Sequence, residues 1–314
     1  MNKKTHYLFR IATLVALAIC LWPSPSTAAW RWNRGQFFVI GTGPAGPRMA
    51  TMQALETIKQ MDVIIANDKH AKLFADYIGD KPILFDPWTG IWNYKGKKRQ
   101  DLNKEELAKF RVERFKIRDE RVQKIKDLLA EGKDVGLLDS GNPCLYGPSH
   151  WYSEHFDQGD LVIIPGMGCD AAAMAAIGQS TIPSYDTRFV MQASPFFLRD
   201  QDLENRQILK DVFSKLPATM VFYMALRDPE KMFSTLGEML PADMPCAVVF
   251  WAGYPDRQRI VRGTIADMAE KLSKEQEKFM GLLLVGRFLE GKPYEAAMKR
   301  GHAKLKQDAV KKRQ

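Results

Sequence analysis

The sequence predicts two α/β domains with mainly parallel sheets and a ligand cleft between them. Short apolar runs alternate with longer stretches of helical periodicity, and the joints between them are rich in glycine and proline. The alternation pauses near residue 179 and restarts near residue 219. A chain of 314 residues is long enough for two domains of ordinary size. The predicted layout is a leader over 1–29, domains over 36–184 and 187–291, and a basic tail over 292–314.

The first domain opens on FFVIG, a buried strand that enters the turn GTGPAGP. Residues 51–61 then place Leu55, Ile58 and Met61 at helical spacing, and residues 62–66 form the next strand. ILF at 83–85 has the composition of a third strand, and 104–131 is a long, highly charged helix. The sheet resumes at 135–138 and 161–165, the latter running into a small-residue helix over 170–178. This order predicts a parallel, doubly wound sheet, with QSTIPSYDTR as a linker. In the second domain, strands at 219–225, 246–252 and 281–286 alternate with helices over 229–239 and 262–272.

The N-terminus reads as a secretory signal. MNKKTHYLFR is basic, IATLVALAICLW is apolar and PSPSTAA is small, which places cleavage at Ala28 or Ala29. The apolar run is too short to span a bilayer comfortably, so export to the periplasm with no span left after cleavage is expected. A leader retained as an anchor and a cytoplasmic chain are the alternatives. Lys and Arg number 46 against 37 Asp and Glu, and loss of Lys3, Lys4 and Arg10 lowers the formal charge from +9 to +6. Much of the remainder lies in KRGHAKLKQDAVKKRQ, a solvated tail without a nucleic-acid recognition motif, so no nucleic-acid partner is expected. Cys144, Cys169 and Cys246 form no CxxC pair, and His150 and His155 are five apart, so no metal site is expected.

The loop DPWTGIWNYKGKKR, 86–99, sets Trp88, Trp92 and Tyr94 beside Lys95, Lys97, Lys98 and Arg99. Such a mixture would suit a flat ligand carrying carboxylates. A loop whose tryptophans pack on the domain beneath is the favoured reading.

Gly41, Gly43 and Gly46 fit the glycine fingerprint of a dinucleotide turn, and Asp68 lies where a ribose-binding carboxylate would be. Pro44 opposes this, because it lacks the N–H that a phosphate cradle offers. Comparable loops begin at 139, 165, 223 and 251, each after a strand. In open α/β sheets such loops line the ligand crevice. Together they predict a site shared by both domains.

GTGPAGPRMATMQALETIKQMDVIIAND resembles the opening GxGPGDPxLLTxxAxxxLxxADVVxYD of the tetrapyrrole methylases. LLDSGNPCLYG is similar to their SGDPxxYG loop, and IIPGMGCDAAAMAAIG to their VVPGxSSxTAAAAxLG helix. TMVFYMALRD, CAVVFWAGYPDRQRIVRGTIADMAEKL and LLLVG resemble the remaining blocks in order, so the likeness covers about 36–290. The resemblance implies an S-adenosylmethionine-dependent methyltransferase, a homodimer, acting on a tetrapyrrole- or corrinoid-like substrate. Carried over by position, the donor contacts are Pro44, Gly141, Asn142, Leu145, Tyr146, Ala171, Ala172, Met224 and Ala252. For any one of the alanines, close packing explains the residue equally well. Gly46 stands where the relatives carry an acid, and Asn142 where they carry Asp. Asp68 and Tyr146, with Lys69 and His70, remain as candidate catalytic residues. Two other functions stay open: an exported relative that binds a tetrapyrrole without methylating it, and an NAD-dependent oxidoreductase.

Overall fold

The computed structural model describes residues 34–182, 187, 189–194, 203–290, 303 and 311. The expected leader, and the expected basic tail apart from two residues, lie outside them. In chain order the first unit comprises β1 (Phe37–Gly41), α1 (Met52–Gln60), β2 (Val63–Ile65), α2 (Asp68–Leu73) and α3 (Ala75–Ile78). It continues with the small hairpin β3 (Asn93–Tyr94) and β4 (Lys97–Lys98), then α4 (Lys104–Ala130), β5 (Val135–Asp139), α5 (His150–Ser153), β6 (Leu161–Ile164) and α6 (Cys169–Ile177).

The strands of the first sheet lie in the order β2-β5-β1-β6, and every pairing is parallel. Helices cover both faces, so Val135 to Asp139 is buried throughout and shows no polar alternation. Along β1, Phe37 and Val39 enter one core with Ile125, Leu129 and Tyr152, while Ile40 enters another with Ala54, Leu55 and Ile58. The long helix α4 begins at a capping box: Asn103 Oδ1 accepts the Glu106 N–H, and Glu106 accepts the Asn103 N–H in return. ILF adds no full strand. It contributes one parallel bridge, Ile83 to Ile64, in which Ile64 donates to Pro82 O and Leu84 donates to Ile64 O.

The aromatic and basic loop packs down on α4. Trp88 lies against Tyr152 and Trp92, Ile91 is fully buried, and Arg121 donates to the Pro87 and Thr89 carbonyls and to the Tyr152 hydroxyl. Arg114 lies 4.3 Å from the Trp151 ring. Trp88 is thus held by the domain beneath it, while Trp92 stays 48% exposed.

The second unit comprises β7 (Phe189–Ala193), α7 (Leu203–Lys215), β8 (Ala218–Phe222), α8 (Pro229–Met239), β9 (Pro245–Phe250), β10 (Arg259–Thr264), α9 (Met268–Ser273) and β11 (Gly281–Val285). Its sheet runs β10-β9-β11-β8-β7. The α/β class is as expected, but this sheet is not mainly parallel. Only β7 and β8 pair in parallel; the other three neighbours are antiparallel. The cause is the length of the β9–β10 link. It closes in turns at Tyr254 and Gln258, which is too short for a crossover helix.

The helix expected over 262–272 also begins later. Ile260 and Val261 pair with Val249 and Val248, which draws Arg262 to Thr264 into β10. Asp267 then accepts the Thr264 N–H at 2.7 Å and meets Lys271 at 2.7 Å, and α9 starts after it. Asp228 caps α8 ahead of Pro229, its side chain accepting the Lys231 N–H at 3.1 Å.

Candidate functional site

Because β5, β1 and β6 are neighbours, the loops that leave their carboxyl ends lie side by side. They meet main chain to main chain. Gly141 donates to Gly43 O at 2.9 Å, and a β-carbon on Gly166 would stand 2.0 Å from Gly141 O. A β-carbon on Gly41 would lie 2.4 Å from Gly166 N. No side chain larger than hydrogen fits this stack, so it presents peptide groups rather than side chains to the crevice.

The first loop does not form a dinucleotide turn. Gly46 has φ 85° and ψ −166°, a region open essentially to glycine alone, and a 3₁₀ turn over Pro47–Met49 follows. The helix starts only at Met52, where the Thr51 hydroxyl already accepts the Ala54 N–H. The helix terminus that would receive a pyrophosphate is therefore displaced from the glycines and partly capped. Asp68 is exposed in the first turn of α2, with no hydrogen bond or ion pair among the described residues.

Loops of the second sheet reach this edge. A β-carbon on Gly253 would lie 2.0 Å from Met49 Sδ and 3.1 Å from Ala45 Cβ. Lys69 Nζ sits 5.5 Å from the Trp251 ring and 5.6 Å from that of Tyr254. Tyr146 of the first sheet's loops approaches Tyr223 at the end of β8, with ring centroids 5.1 Å apart.

Ala172 and Ala252 are buried in one apolar cluster with Tyr223, Val221 and Val249, and Leu145 packs against it. Four of the expected donor contacts, Leu145, Tyr146, Ala172 and Ala252, are thus gathered around Tyr223. Met224, next in sequence, has φ 54° and is 41% exposed. Tyr146 has φ 55° and is 48% exposed. Pro44 and Gly141 are buried on their loops, and Ala171 is exposed on α6. The Asn142 side chain is committed to its own turn, its Oδ1 accepting the Cys144 N–H at 3.0 Å.

Of the candidate bases, His70 is uncharged at neutral pH. Burial, with the Lys69 charge adding to it, lowers its pKa to about 4, and Nδ1 has no hydrogen-bond partner. The residue that sequence did not single out is Tyr223. Its hydroxyl is buried without a partner among the described residues. Its pKa is raised by burial and then by the nearby Asp170, Cys169 and Tyr146, so the phenol stays protonated. Asp139, at the end of β5, is another. It is buried, accepts the Ser149 N–H at 3.3 Å, and burial raises its pKa. Neither carries a sequence signature, since a tyrosine or aspartate at a strand end looks like any other.

Several known proteins resemble this chain over most of its length. Cobalt-precorrin-4 C(11)-methyltransferase of Methanocaldococcus jannaschii is 27% identical over 266 residues, 83% of this chain and 91% of that protein. Uroporphyrinogen-III C-methyltransferase of the same organism is 26% identical over 80% of this chain and 96% of its own length. Among solved structures, a cobalt precorrin-4 methyltransferase shares the fold with a TM-score of 0.60 at 21% identity, covering 85% of this chain and 98% of that one. Uroporphyrin-III C-methyltransferase from Thermus thermophilus, complexed with S-adenyl homocysteine, shares it with a TM-score of 0.53 at 17% identity, covering 82% and 99%. Residues 36–269 match the family described as Tetrapyrrole (Corrin/Porphyrin) Methylases, a span that includes all the loops of the crevice. With glycine stack, second-sheet loops and family match all on the same residues, the chain belongs to the tetrapyrrole methylases.

Proposed function

We propose that this protein transfers a methyl group from S-adenosylmethionine to a carbon of a tetrapyrrole- or corrinoid-like acceptor. The observation that carries this is the convergence on Tyr223 of Leu145, Tyr146, Ala172 and Ala252, beside a wall of bare peptide groups at Gly41, Gly141 and Gly166. The residues fit a nucleoside sulfonium donor: small apolar side chains and bare glycines leave room, and one buried hydroxyl has no partner among the described residues.

S-adenosylmethionine supplies an already activated methyl group, so the chain's own contribution is alignment and exclusion of water. Leu145, Ala172 and Ala252 form the dry wall, while Met224 and Tyr146, both exposed and held at positive φ, cover the open side. Pro44, Gly141, Asn142 and Ala171 complete the proposed donor site. A proton must leave the methylated carbon or an adjacent one. Gly46 bears no acid, which removes the base that an acid at this place on the loop would supply. This shortage favours a second reading, a relative that binds a tetrapyrrole without methylating it.

Calorimetric titration with S-adenosylmethionine and S-adenosylhomocysteine, followed by transfer of labelled methyl to uroporphyrinogen- and precorrin-type acceptors, tests both. Saturable binding with transfer is the expected result. Absence of heat at millimolar donor would sink the enzyme reading, and donor binding without transfer to any acceptor would favour the second.

The two sheets with their helices are proposed as the domains 36–184 and 187–291, and the active form as a homodimer. Residues 1–29 are proposed as a secretory leader on their basic, apolar and small-residue order, which places the mature protein in the periplasm. Fractionation should find a chain shortened by that segment outside the cytosol. Full-length protein in the cytosolic fraction would overturn the export proposal.

A further inference from the structure

The relatives' acid in the SGDP loop is Asn142 here, so the loop has lost a negative charge beside a site proposed to take a cationic donor. A carboxylate stands close by. A β-carbon built on Gly168 would lie 2.1 Å from Asp170 Oδ1 and 3.9 Å from Asn142 Cβ, so Asp170 and Asn142 flank the same glycine. Asp170 occupies the second position of α6, and the residue matched to it in VVPGxSSxTAAAAxLG is unspecified. Glycine at the Gly168 cap makes room for the carboxylate to turn back toward Asn142.

Three further features distinguish Asp170 from an acid that merely complements a helix dipole. It is half-buried and has no basic partner within ion-pair distance among the described residues; the hydrogen bond it receives is a long one, 3.4 Å, from the neutral Gln192 amide. The helix that carries it packs on Tyr223 through Cys169 and Ala172, and Tyr223 is 6% exposed with a hydroxyl that has no partner among the described residues. Tyr223 in turn touches Tyr146 and shares a cluster with Ala172 and Ala252. A helix dipole accounts for an acid in the first turn. It does not account for an orphaned hydroxyl beside it.

We infer that Asp170, with the Tyr223 hydroxyl, forms the anionic pole that receives the cationic methionine portion of the donor, replacing the charge absent at Asn142. This deepens the proposed function and rests on it. An unpaired carboxylate facing a small crevice gains most from a cation that brings its own hydrogen-bond donors, and a phenol that stays neutral can donate to the carboxylate or accept from the cation.

The test is titration of wild type, Asp170→Asn, Asp170→Glu and Tyr223→Phe with S-adenosylmethionine and S-adenosylhomocysteine, each variant first shown to be folded by its thermal transition. Asp170→Asn should weaken S-adenosylmethionine about tenfold to a hundredfold, the range for losing a hydrogen bond to a charged group. Asp170→Glu should recover part of that, and Tyr223→Phe should lose less than Asp170→Asn. The affinity lost should shrink as salt is raised, which a purely structural role for the helix terminus would not produce. Loss confined to S-adenosylmethionine assigns the sulfonium as the partner, and equal loss for both ligands assigns the α-ammonium; either supports the inference. Wild-type affinity in a folded Asp170→Asn overturns it. Failure of wild type itself to bind either ligand defeats the proposed function instead.

Discussion

At the residue scale, His70 makes the clearest claim on solution behaviour. Its folded pKa is about 4 against 6.5 for the free side chain, so the folded state resists a proton that the unfolded state accepts. Stability is therefore full above pH 6.5 and is lost as pH falls from 6.5 toward 4, by up to about 3 kcal/mol from this group. Urea denaturation across that range should show the decline, and His70→Asn should flatten it; an unchanged slope would mean that His70 is not buried as described. Gly166→Ala makes the second claim. Its β-carbon would meet Gly141 O at 2.0 Å, so the backbone of two loops must separate, at a cost of about 1–3 kcal/mol and with loss of donor binding. Unaltered affinity in that variant would place the donor elsewhere. The sequence marked Gly41 through its glycine fingerprint and Gly141 through the family resemblance. Tyr223 and Asp170 escaped it, since their significance depends on what surrounds them and not on their own type.

At the element scale, legibility followed the range of the forces involved. The helix from Lys104 was evident from its long charged run and that from Pro229 from a local apolar face, and each begins at a side-chain cap. Residues 262–264 were misread because their strand conformation is imposed by Pro245 to Ala247, which local periodicity cannot see. β7 and α7 went unnoticed beside the linker for the same reason: β7 is half-buried and gains its partners only from β8. Caps are where element-level claims are testable. Asp228→Ala should destabilise by about 1 kcal/mol, since the Lys231 N–H loses its acceptor. On α4, Arg121→Ala should release the 86–99 loop, which it holds at Pro87 O and Thr89 O. Limited trypsin digestion should then cut at Lys97 and Lys98 faster than in wild type, and equal rates would show that the tryptophans alone secure the loop.

At the scale of the whole molecule, α6 of the first unit shares a core with β8, β9 and β11 of the second: Ala172, Ala173 and Met174 pack with Val221, Val249 and Leu284. A shared core predicts one calorimetric transition with matching van't Hoff and calorimetric enthalpies. Two resolved peaks would show that each unit melts by itself. The strand directions bear on a different matter, the order in which the chain acquires its structure. Phe37 must find Val135 and Leu161 before the parallel sheet exists, whereas Phe250 finds Arg259 across a single turn. Local pairing closes small loops at low entropic cost and long-range pairing does not. The antiparallel strands β9 and β10 are therefore expected to acquire amide protection first in pulse-labelled hydrogen exchange. The glycine-lined edge would form late, on a surface that the second unit already presents, so the catalytic crevice is the last part of the molecule to become native.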